Sequence, residues 1–212
     1  SLLFPPTTPF GRPESDYLNK MPGWGTGAKK LQEIEEGKKL LADAGFPNGI
    51  DIPHMSSTRG STLRMNEVIS EQVAKVGIRT TLDMVAGAER STRELSWDYN
   101  ILSWRYCQTT RDPDELFGQS FITNGSRNVI NYSNAEIDSL YAQMSAEVDV
   151  SKRKQTVRQM EDIVVSQDMA FGAMPQQYDQ NFWWAHLQNF TFGLSSGFAS
   201  GQYRADTVWI KE

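Results

Sequence analysis

Apolar positions recur along most of this chain with a period that switches between helical and strand-like. From about Lys29 to Ala44, Leu31, Ile34, Leu40, Leu41 and Ala44 fall at helical spacing, and Gly45 is placed to end that helix as its left-handed C′ residue. Phe46-Pro47-Asn48-Gly49 has the composition of a turn. Ile50 to Ser56 then reads as a strand, and Thr62 to Val76 as a helix with Met65, Val68, Ile69, Gln72, Val73 and Val76 along one side, stopped by Gly77. Ile78 to Val85 predicts a second strand, Ala88 to Leu95 a short helix, and Tyr99 to Trp104 a third strand. Strands separated by helices in this β-α-β-α-β order imply right-handed crossovers and a parallel sheet, hence an α/β fold.

The third strand leads through an aromatic and polar loop into a strong helix start. Asp112 is the N-cap candidate, Pro113 sits at the first helical position, and Glu115 is the third residue after the cap. Ser133-Asn134-Ala135-Glu136 reads as a capping box for a helix carrying Ile137, Leu140, Tyr141 and Met144 at i, i+3, i+4 and i+7. A further helix from about Val150 to Gln167 is expected to bury Val157, Met160, Ile163 and Val164 and to expose Lys152, Arg153, Lys154 and Arg158. Met169 to Gln177 predicts a fourth strand. Residues 1–28 hold five of the nine prolines and predict an extended, surface-hugging arm that Tyr17, Leu18, Met21 and Trp24 could anchor. Three parts follow: the arm at 1–28, an α/β lobe at 29–180, and an aromatic C-terminal segment at 181–212.

Composition narrows the functional classes. At 212 residues, 39% hydrophobic and 22% charged, the chain can bury a sizeable core, and a net charge of −5 with scattered basic residues argues against a nucleic-acid partner. A single cysteine, Cys107, rules out an internal disulfide or a Cys-rich metal site. Histidines 54 and 186 lack partners at metal-ligand spacing, so no metal and no cofactor is expected. Gly193-Leu194-Ser195-Ser196-Gly197 matches the nucleophile-elbow pattern, but no histidine follows it, and a Gly/Ser turn is the simpler reading. The chain starts without Met inside a Pro-rich connector, which reads as a cut within a longer protein.

What remains is a binding surface. In parallel sheets ligands sit beyond the carboxyl ends of the strands, here Ser56 to Arg59 and Ser103 to Cys107. Trp104 and Tyr106 alternate there with Arg105 and Cys107, so one pair faces the crevice while the other packs or points away. Trp104 and Tyr106 would stack on a ligand, and Ser57, Arg59, Arg105, Cys107 and Gln108 would supply polar contacts. The plain alternative places Trp104 in the core with the arginines solvated. Asp112 and Asp114 could instead be the paired carboxylates of a glycosidase-like hydrolase, although a capping carboxylate is a poor general acid. A self-standing interaction module using the aromatic C-terminal region is a third possibility.

The order of several motifs resembles the family 5 extracellular solute-binding proteins, which serve ABC importers of peptides, nickel complexes, opines or oligosaccharides. The pieces are Met21-Pro22-Gly23-Trp24, Lys38 to Gly49 (KKLLADAGFPNG), Glu71 to Ile78 (EQVAKVGI), Ser103-Trp104 followed by Asp112-Pro113-Asp114, then Asn128 with Tyr132, Asp138, and Arg153. The resemblance implies a non-catalytic, type II-like periplasmic-binding-protein lobe, the C-terminal one. Its expected partners are a small solute, an N-terminal lobe of the same protein and a membrane permease. It implies a bacterial protein in the periplasm, or outside the cell on a lipid anchor. The sequence departs from the peptide-binding members in one respect. They carry an Asp a few residues after the Trp to pair with the peptide amine, whereas the third residue after Trp104 is Cys107 and no acid comes before Asp112. That implies a ligand other than a simple dipeptide, such as a sugar or an opine.

Overall fold

The computed structural model describes residues 3–4, 8–13, 15–16, 18, 21–58, 60–103, 110, 112–170, 184–190 and 208–211, with only the backbone at 60 and 61. Two compact units emerge: Arg12–Arg105 with Val129–Tyr132, and Ser1–Gly11 with Tyr106–Asn128 and Ser133–Glu212.

The first unit follows the apolar periodicity closely. Helix α1 (Gly27–Asp43) gives way to β1 (Ile50–Ser57), α2 (Gly60–Ala74), β2 (Ile78–Val85), α3 (Gly87–Ser96) and β3 (Ile101–Leu102). The sheet order is β2-β1-β3, and both pairings are parallel, as the β-α-β-α-β order requires. β1 pairs with β2 along its whole length, from Ile50↔Ile78 to Ser57↔Val85. With β3 it pairs only at His54↔Ile101 and Met55↔Leu102. Pro53 accounts for the abrupt start of that second ladder, because it has no N–H to offer a neighbouring strand. Of the predicted third strand, Tyr99 to Trp104, only Ile101 and Leu102 are strand among the described residues, and Trp104 lies outside them.

Three glycines with left-handed backbones fix the turns of this unit. Gly45 (φ +96°) ends α1 in a Schellman motif, in which its N–H donates to the Ala42 carbonyl and that of Phe46 to the Leu41 carbonyl, both at 3.0 Å. Gly49 (φ +82°) closes the predicted turn, its N–H donating to the Phe46 carbonyl at 3.0 Å, and Gly77 (φ +99°) stops the helical segment before β2. The packed side of α1 differs from the expected one. Leu31 and Leu40 are 67% and 63% exposed, and no residue of the helix is fully buried. Gly37 and Leu41 instead approach Val76 and Gly77, so the small residue at 37 decides which face docks.

In the second unit, α4 (Pro113–Ser120), α5 (Ala135–Ala146) and α6 (Val150–Asp162) surround an aromatic core, and α6 runs on as a π-helical turn, Ile163–Gln167. Phe117, fully buried, lies 6.1 Å from the Phe4 ring and 5.8 Å from that of Phe121, and Phe10 lies 6.3 Å from Phe4. The Pro-rich start of the chain therefore contributes core residues at Phe4 and Phe10. Of the anchors expected for it, Met21 is buried, Trp24 is half-buried, Leu18 is exposed, and Tyr17 lies outside the described residues. The π turn, marked by the Asp168 N–H donating to the Ile163 carbonyl at 2.8 Å, buries three successive residues, Ile163, Val164 and Val165.

Two details of the helix starts depart from expectation. The cap of α5 is Asn134 rather than Ser133: its Oδ1 accepts from the N–H groups of Glu136 (2.9 Å) and Ile137 (3.3 Å), while Ser133 bonds to Thr123 at 2.9 Å. Arg153 is not solvated but ion-paired, as described below. Of the predicted fourth strand, Met169 and Ala170 are irregular, with Met169 at φ +49°, and 171–177 lie outside the described residues. Near the C-terminus β4 (Leu187–Gln188) pairs antiparallel with β5 (Trp209–Ile210), and His186 stacks on the exposed Trp184 at 6.1 Å.

Candidate ligand-binding edge and its supports

Parallel pairing brings the carboxyl ends of β1 and β3 side by side, so Ser56 and Ser57 adjoin Ser103. Ser57 is half-buried as the last residue of β1. The other sequence-predicted ligand residues, Arg59, Trp104, Arg105, Tyr106, Cys107 and Gln108, lie outside the described residues.

Behind this edge is a buried polar network that sequence patterns did not single out. His54, Ser56, Asn66 and Ser103 are all nearly inaccessible to solvent. The Ser103 hydroxyl donates to Asn66 Oδ1 at 2.6 Å, and Asn66 Nδ2 donates to the Ser56 hydroxyl at 2.6 Å. Ser56 in turn donates to the Ser57 carbonyl at 3.3 Å. In this orientation of the Asn66 amide, the single Ser103 proton is committed, so His54 Nε2, 2.8 Å away, must be the donor. His54 is then the neutral Nε2–H tautomer, and burial pushes its pKa below the ordinary value of 6.5. Its Nδ1 is buried without a hydrogen-bond partner. Arg90 adds a further tie, donating to the Ser103 carbonyl at 2.9 Å while bonding Glu94 at 2.5 Å.

On the opposite face of the sheet is an open pocket of about 330 Å³, lined by Pro53, Met55, Asp83, Arg93 and Trp97 to Asn100. Its charges are already matched: Arg93 bonds Asp83 at 2.7 Å and lies 3.4 Å from Asp98. Among the described residues no group of three or more His, Cys, Asp and Glu side chains could hold a metal ion. No described helix is long and apolar enough to cross a membrane.

The acidic cluster at the start of α4 is a clasp. Asp112 caps the helix, its Oδ1 accepting from the Asp114 N–H at 3.0 Å. Arg153 of α6 grips both Asp112 oxygens, at 2.6 and 2.7 Å, and Asp114 at 2.8 Å, with its guanidinium 5.5 Å from the centre of the Phe10 ring. Glu115 accepts from the Thr110 N–H at 2.7 Å, two residues further back than the N-cap N–H that a standard capping box engages. The Arg153 hydrogen bonds hold the Asp112 carboxyl below its ordinary value of 3.8, which suits an anchored anion and not a general acid. Arg153→Met should cost about 2–3 kcal/mol at pH 7, between the values of exposed and buried pairs. Because the folded pKa of Asp112 is lowered, the stabilisation is complete above 3.8 and fades as pH falls below it. Urea denaturation of both proteins from pH 7 to pH 3 should show the gap narrowing at the acid end. A constant gap would place the effect elsewhere.

A family model described as bacterial extracellular solute-binding proteins, family 5, middle part, matches residues 2–128, more than half of the chain. The chain belongs to the family 5 solute-binding proteins. As expected of a family 5 protein, its fold is shared with solved binding proteins. A dipeptide-binding protein from Pseudoalteromonas sp. SM9913, in complex with Met-Leu, superposes with a TM-score of 0.61 at 20% identity, over 77% of this chain and 31% of that one. A periplasmic oligopeptide-binding protein from Borrelia burgdorferi gives 0.57 at 27% identity, over 64% and 28%. Heme-binding protein A of Haemophilus influenzae is 28% identical over 142 residues, which is 63% of this chain and 26% of that protein. This family 5 chain thus spans about a quarter to a third of the length of these relatives.

Proposed function

We propose that the chain forms one lobe of the substrate-binding component of an ABC importer and helps to enclose a small polar solute. Membership in family 5 carries this reading. The parallel sheet supports it, since it sets the carboxyl ends of β1 and β3 together, where α/β folds take ligands. A second lobe of the same protein would complete the cleft, and closure over solute would be a population shift that a membrane permease reads. The protein would work outside the cytoplasm, in the periplasm or at the cell surface, and without catalysis.

Trp104 and Tyr106 are the stacking residues in this reading, with Ser57, Arg59, Arg105, Cys107 and Gln108 as polar contacts. Cys107 stands where peptide-binding members carry the Asp that meets a free amine. A desolvated ammonium left unpaired is costly, which favours a solute other than a simple dipeptide. Calorimetric titration of the full-length protein, with both lobes present, against Met-Leu, longer peptides, haemin, oligosaccharides and opine-like acids tests this. One class outside the dipeptides should bind, and Trp104→Ala should weaken it about tenfold or more. Micromolar binding of Met-Leu would overturn the solute assignment, and hydrolysis of any compound in the series would overturn the import reading.

A further inference from the structure

We infer that Asn66, buried in α2, is the positioning residue that sets the spacing of the β1 and β3 ends at the ligand edge. This rests on the solute-binding reading above. Among the described residues, the main-chain ladder between the two strands runs through His54↔Ile101 and Met55↔Leu102, and the Ser103 N–H donates to the Met55 carbonyl at a long 3.4 Å.

The Asn66 side chain adds a second connection at the level of Ser56 and Ser103. Its Oδ1 holds the Ser103 hydroxyl and its Nδ2 the Ser56 hydroxyl, both at 2.6 Å, so one rigid amide spans the two strand ends. His54 pins Ser103 from a second direction, and Arg90 holds its carbonyl. A fully buried amide is a poor choice for stability alone, because an apolar residue of that size would avoid desolvating two polar atoms. What the amide supplies that an apolar side chain cannot is a fixed distance and orientation. Those set how far apart the Ser56 and Ser103 backbones stand at the edge.

Asn66→Leu removes the bridge while leucine fills similar space and suits a helix. Since it also takes a partner from the buried Ser56 and Ser103 hydroxyls, overall stability is measured beside it. Hydrogen exchange should quicken about tenfold across 54–58 and 99–104 while β2 (Ile78–Val85) stays protected. Affinity for whichever compound of the titration series binds the wild type should fall about tenfold, as expected when a site loses its supporting shell. Ser56→Ala, which cuts only the link to β1, should give the same local pattern and serves if the leucine variant folds poorly. Uniform acceleration across the sheet would reduce Asn66 to a structural residue and overturn the inference. So would unchanged exchange, or faster exchange at the edge with affinity intact. If the wild type binds nothing in the series, the solute-binding reading fails, while the exchange contrast still decides whether Asn66 sets the strand spacing.

Discussion

Phe117→Ala should destabilise its unit by about 3–5 kcal/mol, the range for removing a fully buried aromatic ring. The ring is the centre of the aromatic cluster, in contact range of both Phe4 and Phe121. Its loss leaves a cavity bordered by the Phe4 and Phe121 rings, from two separate stretches of chain, which cannot both collapse inward. Urea denaturation followed by tryptophan fluorescence gives the size of the effect. Phe4→Ala should cost less, and the double variant should cost less than the sum of the two, because the second truncation removes a neighbour already lost. Full additivity would mean that Phe4 and Phe117 do not share one core.

The second large effect is expected at Gly49. A Cβ there would lie 2.4 Å from the carbonyl oxygen of Gly77, the atom that accepts from the Ile50 N–H at the first rung of the β1–β2 ladder. Gly49→Ala therefore combines left-handed strain, about 1–2 kcal/mol, with a backbone collision that a flexible side chain cannot relieve. A total of roughly 3 kcal/mol or more is expected. Gly45→Ala is the control, because Gly45 is equally left-handed but a Cβ there meets nothing within 4 Å. It should show the strain alone. Equal losses in the two variants would remove the collision from the account.

The α/β order, the parallel sheet and most element bounds were legible because they rest on local periodicity. β2 spans the predicted residues, and Gly45 and Gly77 end helical segments where a left-handed residue was needed. What was not legible depends on partners far apart in sequence. Arg153 lies 41 positions from Asp112, and the helical pattern alone gave it to solvent. Asn66 looks like an ordinary surface residue until the sheet forms behind it and Ser103, 37 positions later, meets its amide. Phe4 and Phe10 were hidden by the surrounding prolines, which describe how the backbone runs and not where rings point. The misplaced cap at Ser133 is a one-residue competition between two good capping side chains, decided by the Thr123 hydroxyl that engages Ser133. Of the ligand edge, the sequence indicated the two strand ends but not the amide joining them.

The central position of β1 also bears on how the chain acquires its structure in time. Its middle residue His54 finds one neighbour 28 positions later, at Leu82, and the other 47 positions later, at Ile101. A ribosome adding about 5–20 residues per second would leave that strand without its second neighbour for several seconds after synthesis. Parallel pairing admits no tight hairpin to shorten the wait, and such long-range closure folds slowly. For that interval the sheet stays open and the chain can still be drawn out lengthwise.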